Sequence, residues 1–567
     1  MTIRVAATAS PRPPVDPAGT RRRRLGMVVI SLGVSLIVVD ATIVNVLLPR
    51  IIGDLRLRAT DAEWITSVYS LTFAALLITS GRIADIAGRR RMFVLGTLVF
   101  VAASLAAAAA GTGPELIAAR LAQGVGASII MPATLSTVNA VFTGRDRAVA
   151  FAIWGSLIAG MAAVGPLLGG WLATSYGWRW AFAVNLPLGA AIVAGALRYV
   201  PETKGEGRSA RSGGGPAAGG WRAGVDWAGG ALSAVGFGAI VFALIEAQRY
   251  GWWSELTAFN AGPYRLTGLS PVPFAALCGV AALGALVAVE RARARAGRPV
   301  LLEPALFRIP SFRTGSAAGS LVSVGELGLL FAIPMFLQNV HGSSPLGTCA
   351  AIVPLAVGAF CSGPYAARLS RRYGAARVVQ IGMVGEVTAV LMIALTTRPA
   401  TTGWEFAPWM LLYGLGLGLT SAQLTNVTLG AVPPASSGIA AGTNTTARQL
   451  GAAVGIALIG AVFTTSLGTA MTARTHDPAR GSELRASAGT YARALRQTAH
   501  PAGTAPGVPG ATRAAAAPAA DPALVRAADE SLAIATRRAA FTTAGILGLG
   551  LLLTLRLAGR DPEESSP

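Results

Sequence analysis

Lysine is almost missing from this 567-residue chain: Lys204 is the only one, so nearly all of the 47 lysines and arginines are arginine. That bias points to a GC-rich bacterial coding sequence. It also removes a function, because a phosphate-cradling loop needs Gly-Lys-Ser/Thr and Lys204 is followed by Gly205. Any pumping must draw on another energy source, and no cofactor is expected.

Cysteine and histidine are scarce too, with three of each. Cys278, Cys349 and Cys361 fall in apolar segments without metal-ligand spacing, and His341, His476 and His500 fall in predicted loops. This predicts buried packing cysteines, no metal site and no nucleophile–base pair, hence no enzyme.

What the chain has in excess is apolar surface, at 53% of residues. A soluble core of this length does not need so much, so a membrane protein is the first reading. The net charge of +21 argues weakly for nucleic acid, because a nucleic-acid surface clusters its charge on one face with stacking aromatics. Here the charges sit in short loops between apolar runs.

Runs of about 20 residues, long enough to span a bilayer, fall near 27–48, 64–84, 92–111, 115–139, 148–174, 180–199, 227–248 and 271–290. Six more fall near 313–337, 348–367, 378–397, 406–430, 447–467 and 539–557. The expectation is an all-α protein of fourteen transmembrane helices. Short loops rich in arginine stay cytoplasmic. Arg21 to Arg24, Arg89 to Arg91, Arg145, Arg147, Arg291 to Arg298 and Arg368 to Arg377 then place both termini inside, in a bacterial inner membrane. Residues 1–26 form a cytoplasmic tail, with Arg21 to Arg24 leading into an uncleaved first helix. Residues 558–567 form another. The segment 468–538 is a long outer loop, with a Pro/Gly/Ala-rich stretch at 501–520 expected to be disordered and short helices possible at 482–498 and 522–538.

Several motifs carry mechanism. Between the second and third runs lie Gly81, Asp85, Gly88, Arg89, Arg90 and Arg91. A glycine permits the tight turn, and an acid there can pair with a neighbouring helix N-terminus or an arginine. The fourth run holds Arg120, Gln123, Gly124 and Gly126, and the fifth holds Gly165, Pro166, Gly169 and Gly170. Pro166 removes a backbone donor, and the glycines let another helix approach. Further on come Trp178, Asn185 and Pro187. The first run carries Asp40, Thr42, Asn45 and Pro49, and the thirteenth carries Asn444, Arg448, Gln449 and Gly451.

In this order the motifs resemble the fourteen-helix drug/proton antiporters of the major facilitator superfamily, over about 27–467 plus the last helix. The resemblance implies a six-helix bundle at 27–199, a linker and two inserted helices at 200–312, and a second bundle at 313–557. It also implies alternating access, proton exchange for an exported drug or secondary metabolite, a gating role for Gly81, Asp85, Gly88 and Arg89, and an antiporter role for Gly165, Pro166, Gly169 and Gly170. Met161 stands where the first glycine of that antiporter pattern is expected. A monomer in the lipid bilayer, with no nucleic-acid partner, is the matching expectation.

Internal symmetry adds an independent reading. Aligning Gly374 with Gly88 gives an offset of 286 residues, which carries Asp40 onto Glu326 and Asp85 onto Arg371. Carboxylates at mid-membrane cost about 2.5–3.5 kcal/mol each on insertion scales, so a matched pair points to a function. Asp40 and Glu326 are therefore candidates for binding protons or a cationic substrate. Arg120 beside a carboxylate would favour its ionised form, and separation would favour proton uptake. Glu386 has no acidic mate in the first half and is a candidate for selecting cations. Tyr69, Phe73, Trp154, Phe331 and Tyr413 are candidate pocket aromatics, with packing as the plainer reading. Nutrient symport and a non-transporting sensor on the same fold are the competing functions.

Overall fold

The computed structural model describes residues 17–557 except 58, 143, 204–225, 254–258, 262–263, 267–268, 297–299, 301–302, 344, 434–435 and 476–521. The chain is helical almost throughout. In the first half the helices are α1 (Pro17–Leu55), α2 (Ala59–Ala87), α3 (Arg89–Ala109), α4 (Gly113–Val141) and α5 (Gly144–Ser175), followed by the short α6 (Arg179–Ala183) and α7 (Asn185–Tyr199). Next come α8 (Trp227–Tyr250) and α9 (Pro271–Arg295), joined across a two-stranded hairpin, Phe259–Ala261 with Tyr264–Leu266. The second half holds α10 (Pro310–Val340), α11 (Pro345–Tyr373), α12 (Ala375–Thr396), α13 (Gly403–Gly430), α14 (Ser437–Thr475) and α15 (Pro522–Leu555).

Among the described residues twelve candidate spans are long and apolar enough to cross a membrane, one of them combining α6 with α7. Two more long helices, α5 and α13, pack between them. The fourteen expected spans are thus matched by twelve on apolarity. Helix α13 carries buried Thr420, Gln423, Thr425 and Asn426, which dilute its hydropathy but lie inside the protein.

The two halves repeat one scaffold. Helix α5 packs along α1, and α14 packs along α10. A Cβ at Gly169 would stand 2.7 Å from Ile43, and one at Gly455 would stand 2.5 Å from the Val324 carbonyl. The 286-residue offset carries Gly165 and Gly169 onto Gly451 and Gly455, so the same two glycines set the same close approach twice. The anchors of the alignment agree as well. Gly88 caps α3 at φ 109° and Gly374 caps α12 at φ 82°, a region that favours glycine.

The inserted pair α8–α9 packs against α2 and α14, one helix from each half. Asp226 caps α8 through the Gly229 amide at 2.8 Å and pairs with Arg293 of α9 at 2.9 Å, which ties the two together. Exposed Trp171, Tyr176 and Trp180 pack together at the end opposite the arginine-rich loops, and the exposed Trp253 after α8 and Trp404 at the start of α13 fall at that same end of the helices. That is where amphipathic rings settle at a bilayer interface.

Three expectations change. The last span does not begin at 539: α15 runs unbroken from Pro522, and α14 reaches from Ser437 to Thr475, so residues 468–475 and 522–538 of the expected outer loop are helical. The 482–498 flank and the 501–520 stretch lie outside the described residues. Cys278 and Cys361 are exposed rather than buried, because the outer faces of α9 and α11 are themselves apolar surfaces on which a small thiol costs little. Cys349 lies outside the residues whose side chains are described.

Candidate functional site

Asp40 sits on α1 with its side chain buried and its acceptors engaged by three donor side chains. Arg120 of α4 donates to Oδ2 at 2.5 Å, while Gln123 of α4 and Asn185 of α7 each donate to Oδ1 at 3.0 Å. Ser104 of α3 joins the network through Gln123 at 2.8 Å and Asn185 at 3.1 Å. Arg120 also donates from Nε to the Ile65 carbonyl at 3.2 Å, and its guanidinium lies 4.3 Å from the Tyr69 ring centre. The arginine therefore both pairs with the carboxylate and caps a carbonyl. A buried ion pair is tolerable only when its remaining donors and acceptors are met, and here the network draws on four helices besides α1.

The second half is arranged differently. Glu326 of α10 faces Arg448 of α14 at 3.9 Å, with both side chains partly exposed. Glu386 of α12 is fully buried against α13, where a Cβ at Gly416 would meet its Cγ at 3.0 Å. Asp40 and Glu326 thus share a place on the first helix of each half, while their arginines come from the fourth helix in one half and the fifth in the other.

The halves meet at the arginine-rich end. Asp85 of α2 accepts from the Gly438 amide at 2.8 and 3.0 Å and from the Ile439 amide at 3.2 Å, so it caps the first turn of α14. Arg89 donates to the same carboxylate at 2.8 Å. The acid thus makes both pairings its motif allows, with a helix N-terminus and with an arginine. Gly81 lies under the Gly438 carbonyl, where any side chain would collide. Asn139 donates to Ser437 at 2.8 Å, and Arg147 donates to Asn426 at 3.3 Å and to the Gly430 carbonyl at 3.2 Å. One apolar core joins Met92, Leu135 and Val138 to Phe312, Leu429 and Ile439 there. At the opposite end the core around Ile43, Ile51, Leu116, Trp178 and Phe182 belongs to the first half alone. The halves are in direct polar and apolar contact on the arginine-rich side.

Gly165 and Gly169 bring α5 against Thr42 and Ile43 of α1, next to Asp40. Pro166 and Gly170 lie on the same helix, and their surroundings are outside the described residues. Gly160, beside Met161, meets the Phe360 ring of α11 across the two halves. Tyr69, Phe73, Trp154 and Tyr413 are buried in helix packing, and the Phe331 side chain is outside the described residues. Gln123, Asn185 and Arg448 lie within motifs visible in sequence, yet their bonds to the acids were not legible. Ser104 and the reach of Arg147 had no signal. Among the described residues no cluster of metal-binding side chains occurs.

The family model described as Major Facilitator Superfamily matches residues 30–456. The chain belongs to the major facilitator superfamily. This is a family of transporters rather than enzymes. The chain is 35% identical over 451 residues to the puromycin resistance protein pur8 of Streptomyces alboniger, covering 78% of this chain and 82% of that one. It is 31% identical to the probable actinorhodin transporter of Streptomyces coelicolor, over 81% of this chain and 75% of that one. It is also 31% identical to the multidrug efflux pump LfrA of Mycolicibacterium smegmatis, over 79% and 83%. Among solved structures, the human organic anion transporter MFSD10 superposes with a TM-score of 0.57 at 14% identity, covering 96% of this chain and all of that one. The proton:xylose symporter XylE superposes with a TM-score of 0.52 at 13% identity, over 76% and 87%. At those identities they speak to the fold.

Proposed function

We propose that this protein exports amphipathic or cationic small molecules of the antibiotic and drug class across the bacterial plasma membrane in exchange for protons, by alternating access. Both termini then lie in the cytoplasm, and the unit is a monomer. The relatives named for drug and antibiotic resistance supply the substrate class. The observation that carries the coupling is the buried Asp40–Arg120 pair, set in a structure whose arginine-rich side is closed by Asp85. A rearrangement of α1 against α4 within the first half, coupled to rocking of the halves, that draws Arg120 off Asp40 exchanges a salt bridge for a protonated acid, and the reverse motion expels that proton. The inward proton gradient then drives substrate outward, each charge that crosses drawing about 2.3 kcal/mol per 100 mV.

The test is uphill efflux of ethidium from cells carrying Asp40→Asn, Glu326→Gln or both, with membrane insertion verified. The double variant loses energised efflux, and wild-type efflux by that variant ends the proposal. Direction separates export from nutrient symport: in everted vesicles an antiporter alkalinises the lumen when substrate is added, whereas a symporter carries protons with substrate.

A further inference from the structure

Glu386 is a fully enclosed acid for which the export cycle so far has no use. Its side chain is fully buried between α12 and α13, and neither carboxyl oxygen makes a hydrogen bond of ordinary geometry. Two hydroxyls of α13, those of Tyr413 and Thr420, are also buried and likewise make no hydrogen bond of ordinary geometry. Thr420 stands beside the Glu386 carboxyl, and Tyr413 lies within its electrostatic reach. The other charges facing this spot are Glu326 from α10 and Arg448 from α14, and these two face each other at 3.9 Å. One arginine therefore serves two carboxyls, and it stands with the more exposed of them.

An ionised carboxylate without a donor in a protein interior is among the costliest arrangements available, and such a group takes up a proton instead. A neutral carboxylic acid beside a hydroxyl is a different object, able to give its proton or to accept a hydrogen bond with a small side-chain rotation. We propose that Glu386, flanked by Tyr413 and Thr420, is a second proton-binding site, held in the second half and discharged through Glu326. The step balances simply: the O–H bond of the Glu386 carboxyl breaks, the proton passes to the Glu326 carboxylate, and the charge left on Glu386 is met by Arg448 as Glu326 becomes neutral. Glu326, which is partly exposed, then releases the proton to the water-filled side. The inference rests on the proton-coupled reading above and adds to it that the cycle carries one proton more than Asp40 accounts for.

The experiment uses the full chain in proteoliposomes with ethidium as probe. Infrared difference spectra of the wild type show the carbonyl band of a protonated carboxyl at neutral pH, which Glu386→Gln removes and which weakens when ethidium is added. In parallel, the ratio of protons to ethidium falls by one in Glu386→Gln vesicles, and Tyr413→Phe keeps the band but moves the pH at which it titrates. If the band survives Glu386→Gln, or does not respond to ethidium or to alkaline pH, Glu386 is no proton carrier and the inference falls. An unchanged proton ratio in Glu386→Gln also overturns it while leaving coupled export standing. A wild type that moves ethidium with no protons at all overturns the coupled reading itself. Should Glu386→Gln be inert in transport, the ethidium response of the wild-type band and the shift in Tyr413→Phe decide the matter.

Discussion

The first half of this transporter holds its central acid in a finished network, and the second half holds its acids in an unfinished one. Asp40 is met by Arg120, Gln123 and Asn185, whereas Glu386 has no bond of good geometry and Glu326 shares a partner at 3.9 Å. The scaffold beneath them is the same, down to paired glycines and the two left-handed caps at Gly88 and Gly374. The repeat therefore fixes where helices go, and the polar residues placed on it decide how each half meets its buried acids.

The sharpest way to break this contrast is to treat both halves alike. Arg120→Gln leaves Asp40 buried without its counter-charge, and removing one partner of a buried pair costs about 3–5 kcal/mol. Glu386→Met replaces an unsatisfied buried acid with an apolar side chain of similar size, and the chain gains about 1–3 kcal/mol. Thermal unfolding of the two variants in detergent should move in opposite directions from the wild type. If both destabilise to the same degree, Glu386 has partners that its surroundings do not show, and the asymmetry is lost.

The scaffold makes the opposite forecast, that the halves respond together. Gly165→Val and Gly451→Val each push a branched side chain into a neighbouring helix, at Thr42 of α1 and at the Ser320 backbone of α10. Overpacking of this kind costs about 1–3 kcal/mol. The second variant is expected to be the worse of the two, since a backbone carbonyl yields less than a side chain. A loss confined to one variant in the same unfolding assay would mean that the repeat is geometric but not energetic.

These glycines also show what was legible from residues alone. The offset set on Gly88 and Gly374 also carries Gly165 and Gly169 onto Gly451 and Gly455, but only the structure shows that both pairs mark the same close approach. It also matched Asp40 with Glu326. It did not foresee that Arg120 and Arg448 would come from different helices of the repeat, since which side chain reaches an acid depends on helix rotation. Asp85 was read correctly as a helix-terminus partner because its options were few. Arg147 was counted only as a loop charge, although it reaches across to the end of α13, because no local pattern encodes a contact between halves 283 residues apart. The end of the long outer loop was misplaced for a related reason: Val525 to Arg538 is too polar to read as part of a span, yet α15 buries Ala527, Ala528, Leu532 and Ala535 on one face.

Asp85 and its mate Arg371 give a comparison of intermediate size. Asp85→Asn keeps the shape and removes the charge that faces the α14 N-terminus. Such contacts are worth up to about 2 kcal/mol when partly buried, which shifts the closed-to-open equilibrium by as much as about thirtyfold. Spin labels at Arg91→Cys and Arg372→Cys, in a chain whose native cysteines are serine, should report a longer distance across the arginine-rich end. Arg371→Ala should leave that distance unchanged, because Arg371 is exposed and caps no helix of the other half. Equal effects from both substitutions would remove the gating role from the first-half acid.

The smallest expected effect lies at the far end of the first half, where α1 is tied to the start of α6. Asp54 accepts from the Trp178 ring nitrogen at 2.8 Å and from Arg179 at 2.6 Å, and these bonds hold its carboxyl below the ordinary aspartate range. The 286-residue offset places Val340 at the matching position, so the second half has no such acid there. Because the folded form favours the ionised acid, the stability it adds is present above the ordinary carboxylate range and is lost as pH falls through the lowered value. Asp54→Asn should therefore lower the unfolding temperature slightly at neutral pH and not at strongly acid pH, with solvent and salt keeping the difference small. A deficit of equal size at both pH values would assign the tie to the shape of the Trp178 contact rather than to charge.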